Sequence, residues 1–197
     1  PAALDRWVDE MAQLTRPDRI HWCTGSDDEA RSLTRQLLSQ GDLEQLSTDY
    51  PNCYLYRSNP NDVARVEHLT FVCTRRQEDA GPNNPWMAPA DAHARMDALF
   101  DGSMRGRTLY VIPYCMGPID SPYARCGVEI TDSPYVVLNM RMMTRMGTPA
   151  LRRIAAGERF VRGLHCTGDL DPERRFIMHF PEELVIKSFG SGYGGNA

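Results

Sequence analysis

Val128-Glu129-Ile130-Thr131-Asp132-Ser133-Pro134-Tyr135-Val136-Val137 passes from a β-prone run into a helix start within one short stretch. Val128-Glu129-Ile130 reads as a strand. Ser133 is a favoured N-cap, and Pro134 suits the first helical position because its missing N–H would have no partner there. That helix is expected to run to Gly147, and Thr148-Pro149 repeats the start for another ending at Gly157. The same handover occurs near the N-terminus. Ile20-His21-Trp22-Cys23 reads as a strand, and Ser26-Asp27-Asp28-Glu29 is a capping-box pattern opening a helix that turns Leu33, Leu37 and Leu38 inward before Gly41.

Leu4, Trp7, Val8, Met11 and Leu14 recur at helical spacing, and Pro17 closes that helix. Cys53-Tyr54-Leu55-Tyr56 and Leu69-Thr70-Phe71-Val72-Cys73 read as strands, with a turn and short helix over residues 60–67 between them. A loop over residues 77–89 leads to a helix with Ala92, Met96, Leu99 and Phe100 inward. Thr108-Leu109-Tyr110-Val111-Ile112 is a buried strand ended by Pro113. Phe160-Val161, Phe176-Ile177-Met178 and Leu184-Val185-Ile186 supply late strands. Alternating strands and helices imply an α/β fold, a mixed β-sheet with flanking helices. No internal repeat or interdomain linker interrupts residues 1–197, so one domain is expected.

Composition narrows the function classes. At 197 residues and 42% hydrophobic content the chain can bury one core. A net charge of −4 argues against a nucleic-acid groove or an anionic membrane as partner. No apolar run approaches the roughly 20 residues of a membrane span, and Pro1-Ala2-Ala3-Leu4-Asp5 does not read as a signal peptide. The 6 cysteines lie far apart with no C-x-x-C and read as buried reduced thiols of a cytoplasmic protein. Among 22 Lys and Arg residues only Lys187 is lysine, and it follows Ile186, so no Walker-type phosphate loop is present.

Four features are candidates for chemistry. Arg65, in Asn61-Asp62-Val63-Ala64-Arg65-Val66-Glu67, carries a fork suited to carboxylates, but on this stretch alone a surface pair with Glu67 or Asp62 explains it better. Met140, Met142, Met143 and Met146 read as a core face, with Arg141 and Arg145 on the polar side. His21, His68, His93, His165 and His179 show no metal-ligand spacing and read as structural or surface residues. The ending Phe189-Gly190-Ser191-Gly192-Tyr193-Gly194-Gly195-Asn196-Ala197 follows an apolar strand. It suits either an anion-binding turn, where bare amides converge, or a loose tail.

Longer motifs shift that balance. Gly106-Arg107-Thr108-Leu109-Tyr110-Val111-Ile112-Pro113-Tyr114-Cys115-Met116-Gly117-Pro118 and residues 127–137 resemble signatures of the GTP-dependent phosphoenolpyruvate carboxykinases. Residues 140–149, 62–67 and 189–196 continue the resemblance in collinear order across nearly the whole chain. The resemblance implies the N-terminal domain of that fold, ending at the substrate-binding glycine-rich loop. It implies an enzyme that converts oxaloacetate and GTP to phosphoenolpyruvate, carbon dioxide and GDP in gluconeogenesis. By the same resemblance Arg65, Tyr193, Gly194 and Gly195 bind oxaloacetate or phosphoenolpyruvate. No catalytic, nucleotide or metal ligand falls within the chain. Mn2+ and Mg2+ with GTP belong to the complete enzyme, implied to be a cytoplasmic monomer, and to the remaining C-terminal part that partners this one. Alone, the chain is expected to be inactive. A stand-alone anion-binding or regulatory module is the alternative.

Overall fold

In the computed structural model, which describes residues 2–63 and 66–192, the expected alternation of helices and strands is present. Helix α1 (Ala2–Thr15) precedes β1 (Arg19–Trp22) and α2 (Asp27–Gln40). A small hairpin of β2 (Leu43–Gln45) and β3 (Tyr54–Tyr56) follows, then β4 (Thr70–Val72) and α3 (Pro89–Phe100). The second half comprises β5 (Thr108–Met116), β6 (Arg125–Thr131), α4 (Pro134–Met143), β7 (Arg145–Met146) and α5 (Thr148–Ala155). Strands β8 (Phe160–Cys166), β9 (Phe176–Phe180) and β10 (Val185–Phe189) complete the described fold.

The main sheet has the order β1-β5-β6-β8-β10-β9-β4, with β7 also paired to β5. It is mixed: β6, β8 and β10 run parallel to one another, while β5 and β9 are antiparallel to their neighbours β6 and β10. Side chains alternate between the two faces of a strand, and here the faces differ in chemistry. One face carries Leu109, Val111, Val128, Ile130, Leu164, Met178 and Phe189 against buried residues of α1, α3 and α5, including Leu4, Met96, Phe100 and Ile154. The other face is apolar only under α2 and α4, where Tyr110, Ile112 and Tyr114 meet Leu33, Val136 and Met140. Beyond those helices the alternate positions of β6, β8 and β10 include Gly127, Glu129, Thr131, Gly163, His165 and Ser188, beside half-buried Val161 and Ile186.

Local chemistry explains the boundaries. The Ser26 hydroxyl accepts the Glu29 amide, and Gly41 closes α2 in the left-handed conformation at φ 80°. Ser133 caps α4 by accepting the Val136 amide. The single lysine, Lys187, is buried on the strand-to-α3 side and pairs with Asp97.

Several sequence expectations are corrected. Pro113 does not end its strand: β5 continues to Met116, with Pro113 opposite Val128. Beyond Val111 the β1 ladder has ended, so a residue without an N–H is tolerated there. Helix α4 stops at Met143 rather than Gly147, because the Thr144 hydroxyl turns back to the Met140 carbonyl at 2.7 Å and Arg145–Met146 pair with β5. Only Met140 and Met146 of the methionine group are buried; Met142 and Met143 are exposed, so the four do not form one core face. Between residues 59 and 69 the described residues show a turn, with the Asp62 amide on the Asn59 carbonyl, and a 3-10 turn at Glu67–Leu69.

Gly147 joins β7 to α5 at φ 90°, and a Cβ added there would strike the Thr24 carbonyl. Both the backbone angle and the close approach require glycine. Gly147→Ala is therefore expected to destabilise the fold by at least about 1–3 kcal/mol, measurable as a lowered urea midpoint with an unchanged m-value.

Candidate functional site

The C-terminal ends of β6, β8 and β10 lie side by side, and a chain of hydrogen bonds crosses them. The Ser133 amide donates to Thr131 Oγ1 at 3.1 Å. Thr131 Oγ1 meets His165 Nδ1 at 2.7 Å. His165 Nε2 meets the Ser191 carbonyl at 2.6 Å. A carbonyl only accepts, so Nε2 carries the proton and Nδ1 takes the threonine proton. His165 is fully buried, and burial pushes its pKa down from 6.5, against the opposing pull of Asp132 and the Ser191 carbonyl. The ring is thus a neutral bracket between β6 and the segment that leaves β10.

That segment is held from a second side. Asp62 Oδ1 accepts the Gly192 amide at 2.8 Å and the Ser191 hydroxyl at 3.4 Å, and the same hydroxyl lies 2.8 Å from the Val63 carbonyl. Arg175, also buried, donates Nε to the Gly190 carbonyl at 2.8 Å and Nη2 to the Asn61 carbonyl. Residues 61–63 and 190–192, which are 130 positions apart at Asp62 and Gly192, are therefore clasped together. Among the described residues, the buried Asp62 Oδ2 has no hydrogen-bond partner. A Cβ on Gly192 would come within 2.5 Å of it, so glycine is what lets the two segments meet.

Asp132 braces the same region from below. Its carboxylate takes Arg107 and the Thr167 amide, the latter at 2.9 Å, fixing the turn after β8. Glu129 sits two residues before Thr131 on the same face. Its carboxyl occupies the space above Gly163, where any Cβ would collide with it. Burial raises its pKa from 4.5 to about 8, so the group is largely protonated at neutral pH. Tyr114 covers Gly127 next to it, and its hydroxyl pKa is likewise raised by burial.

None of the four residues assigned to the site from the sequence is visible here: Arg65, Tyr193, Gly194 and Gly195 all lie outside the described residues. What the structure brings together are the residues leading into them. Sequence reading weighed Asp62 only as a surface ion-pair partner of Arg65, whereas it is buried and clasps Gly192. Thr131 and His165 could have been found from period-2 alternation, as polar residues on strands whose opposite face is core. Arg175 gave no sequence signal. His165 is buried and hydrogen-bonded through both ring nitrogens, a structural placement, whereas His21 is exposed, with its Nε2 2.7 Å from Glu29 Oε1 and Cys23 close to both. A broad groove of about 900 Å³ between α2, the hairpin and α4 contains Arg31, Arg35 and Arg141 but no residue of the clasp. Asp28 and Asp27 already pair with Arg31 and Arg141, which weakens it as an anion site.

Glu129 and His165 oppose each other with pH. Glu129 keeps its proton in the fold after the unfolded chain has released it, so its contribution lowers stability as pH rises from about 4.5 toward 8. His165 binds a proton less readily folded than unfolded, so stability falls as pH drops below 6.5. Glu129→Gln removes the first effect. The variant is expected to gain at least about 1 kcal/mol relative to the parent between pH 5 and pH 8, read from denaturation midpoints at the two pH values.

The comparisons with known proteins agree with this architecture. Residues 6–197 match the phosphoenolpyruvate carboxykinase N-terminal domain family. A protein of Anaeromyxobacter dehalogenans named phosphoenolpyruvate carboxykinase (GTP) is 56% identical over 192 residues, covering 97% of this chain and 32% of the relative. Proteins of the same name from Corynebacterium jeikeium and Chlamydia trachomatis are 48% and 45% identical, over 97% and 100% of this chain and 34% and 35% of theirs. The chain thus spans about a third of the length of the curated relatives it matches. With the mixed sheet, the collinear motifs and a family match over almost its whole length, the chain belongs to the phosphoenolpyruvate carboxykinase N-terminal domain family.

Proposed function

We propose that this chain is the substrate-side portion of a GTP-dependent phosphoenolpyruvate carboxykinase, acting on oxaloacetate and phosphoenolpyruvate. The observation that carries the reading is the Asp62–Gly192 clasp. Asp62 stands three residues before Arg65, and Gly192 stands immediately before Tyr193. The clasp fixes the two chain segments that enter the assigned substrate residues, and it does so beyond the C-terminal ends of parallel strands, where open α/β sheets bind ligands. Relatives at 45–56% identity bearing the enzyme's name support this reading over a stand-alone anion-binding module.

In the proposed mechanism Arg65 grips the substrate carboxylate and phosphate through its planar fork, while Tyr193 and the amides of Gly194 and Gly195 face the carboxylate from the other side. Two opposed contacts of this kind hold a planar carboxylate in one orientation, which is how positioning lowers a barrier. Buried neutral His165 and the Asp132 brace contribute rigidity, keeping the backbone donors aimed without reorganisation. The enzyme's divalent ions and GTP supply charge neutralisation and the phosphoryl group when bound. The described residues do not fit a hard-ion site: their one grouping of three potential metal ligands contains a thiol, whereas Mn2+ and Mg2+ prefer oxygen donors. We assign those cofactors to the part of the enzyme outside this chain, and cytoplasmic location to the whole.

In the complete enzyme Arg65→Ala is expected to weaken oxaloacetate and phosphoenolpyruvate by roughly 2–4 kcal/mol and GTP far less. Equal losses for both ligands would make Arg65 structural. Asp62→Ala should raise the KM for oxaloacetate by about 10-fold or more, for about 1–3 kcal/mol of lost carboxylate bonding, and leave the GTP KM near that of the parent. Asp62→Asn, which keeps an acceptor oxygen toward Gly192, should recover most of that loss. A uniform fall in kcat with unchanged KM values would count against the clasp as a substrate-positioning device.

A further inference from the structure

We infer that His21, Cys23 and Glu29 form a binding site for a thiophilic divalent cation of the zinc type, separate from the substrate site and independent of the proposed reaction. One ligand atom from each of these side chains lies within 4.8 Å of the other two. His21 and Cys23 are two residues apart around the end of β1, so strand alternation turns them to the same side. Glu29 comes from the first turn of α2 and reaches back over the connecting turn.

The glutamate is already held in place. Both its oxygens lie 3.0 Å from the Thr24 amide, Oε2 lies 2.8 Å from the Gly25 amide, and Oε1 lies 2.7 Å from His21 Nε2. Fixing a carboxylate by backbone donors is how surrounding groups orient a metal ligand before the metal arrives. The cysteine is buried, the histidine exposed, so the site has a floor and an open mouth. In a tetrahedral zinc site, ligand atoms about 2.0–2.3 Å from the metal stand roughly 3.3–3.7 Å apart. At 2.7 Å the His21 Nε2–Glu29 Oε1 pair has to open to admit an ion, which the exposed His21 ring allows.

The donor set decides the ion. Thiolate, imidazole and carboxylate together suit zinc and its relatives, whereas magnesium and calcium prefer oxygen donors alone. Three protein ligands leave the fourth position to water or an external ligand. Binding replaces the Cys23 thiol proton with a sulfur–metal bond, and that proton passes to solvent. The His21 proton moves from Nε2 to Nδ1, and Nε2 donates its lone pair to the metal. One proton is therefore released per ion bound.

The site stands apart from the clasp. His21 lies opposite Tyr110, and Tyr110 opposite Thr131, which meets His165. Three strand spacings, about 14 Å, therefore separate His21 from His165. Metal binding would instead rigidify the β1–α2 turn, which is also gripped by Arg141 Nε on the Gly25 carbonyl at 3.2 Å.

The test is a cadmium titration of the complete polypeptide carrying this domain, with excess Mg2+ present to occupy oxygen-donor sites. Sulfur-to-cadmium charge-transfer absorption in the ultraviolet is the readout. One equivalent of this absorption is expected in the parent and should vanish in Cys23→Ser. In His21→Ala, an exposed substitution whose fold is verified by circular dichroism, affinity should fall at least 10-fold. Zinc should displace the cadmium competitively. The inference is overturned if the parent shows no thiolate absorption, if Cys23→Ser retains it, or if His21→Ala binds as tightly as the parent. Substrate and GTP kinetics of His21→Ala should remain those of the parent, whatever becomes of the proposed enzymatic role.

Discussion

A neutral imidazole held between two strands and a departing loop is the constraint on which the site depends. His165 has one nitrogen for Thr131 and one for the Ser191 carbonyl. Its burial and its bonding agree: the ring can be surrounded by protein because both nitrogens are satisfied without charge. Once Ser191 is fixed, its hydroxyl and the next amide are presented to Asp62 and Val63. The turn before β4 is thereby tied to the end of β10, although β9 lies between those strands in the sheet. Arg175 doubles the tie, spanning the Gly190 and Asn61 carbonyls.

The two faces of the sheet show how one set of strands serves two ends. On one face Val128, Ile130 and Leu164 bury apolar surface against helices, at about 25 cal/mol per Å². On the other, the same strands present Glu129, Thr131, Gly163 and His165, a row with little apolar area to contribute. Gly163 is empty so that Glu129 fits, and Gly127 is empty so that Tyr114 fits. Stability is thus concentrated on one side of β6 and β8, leaving the other side to carry polar groups, including a buried carboxyl that desolvation makes costly to ionise.

Much of the fold was legible because its signals are local. Ser26 with Glu29, Ser133 with Pro134, and Gly41 announce helix ends by chemistry confined to a few residues. The hairpin strand β2 was not legible, since Leu43–Gln45 carries one buried residue and no alternation long enough to read. Pro113 misled because its cost depends on whether a partner strand needs its N–H, a fact of the assembled sheet. The clasp was hidden for a related reason. Asp62 beside Arg65 looks like half of an ion pair, and nothing in its neighbours reveals that Gly192, 130 positions later, will claim its oxygen. The cluster of His21, Cys23 and Glu29 escaped notice because its third member comes from the following helix, so no fixed sequence spacing marks it.

The lone lysine limits which cations the candidate site can use. Lys187 is the one ammonium in the chain, and the fold spends it on Asp97 of α3, buried away from the polar face. The cations left for an anionic substrate are guanidinium groups. Among those braced around the clasp, Arg175 is consumed by backbone carbonyls and Arg107 by Asp132. Both hold scaffold. On the proposed reading, a planar carboxylate arriving at the clasp would draw on an arginine from the segment after Asp62 and on backbone donors from the segment after Gly192. Arg65 and the residues from Tyr193 onward are what the sequence places there. A guanidinium fork recognises a carboxylate by shape as well as charge.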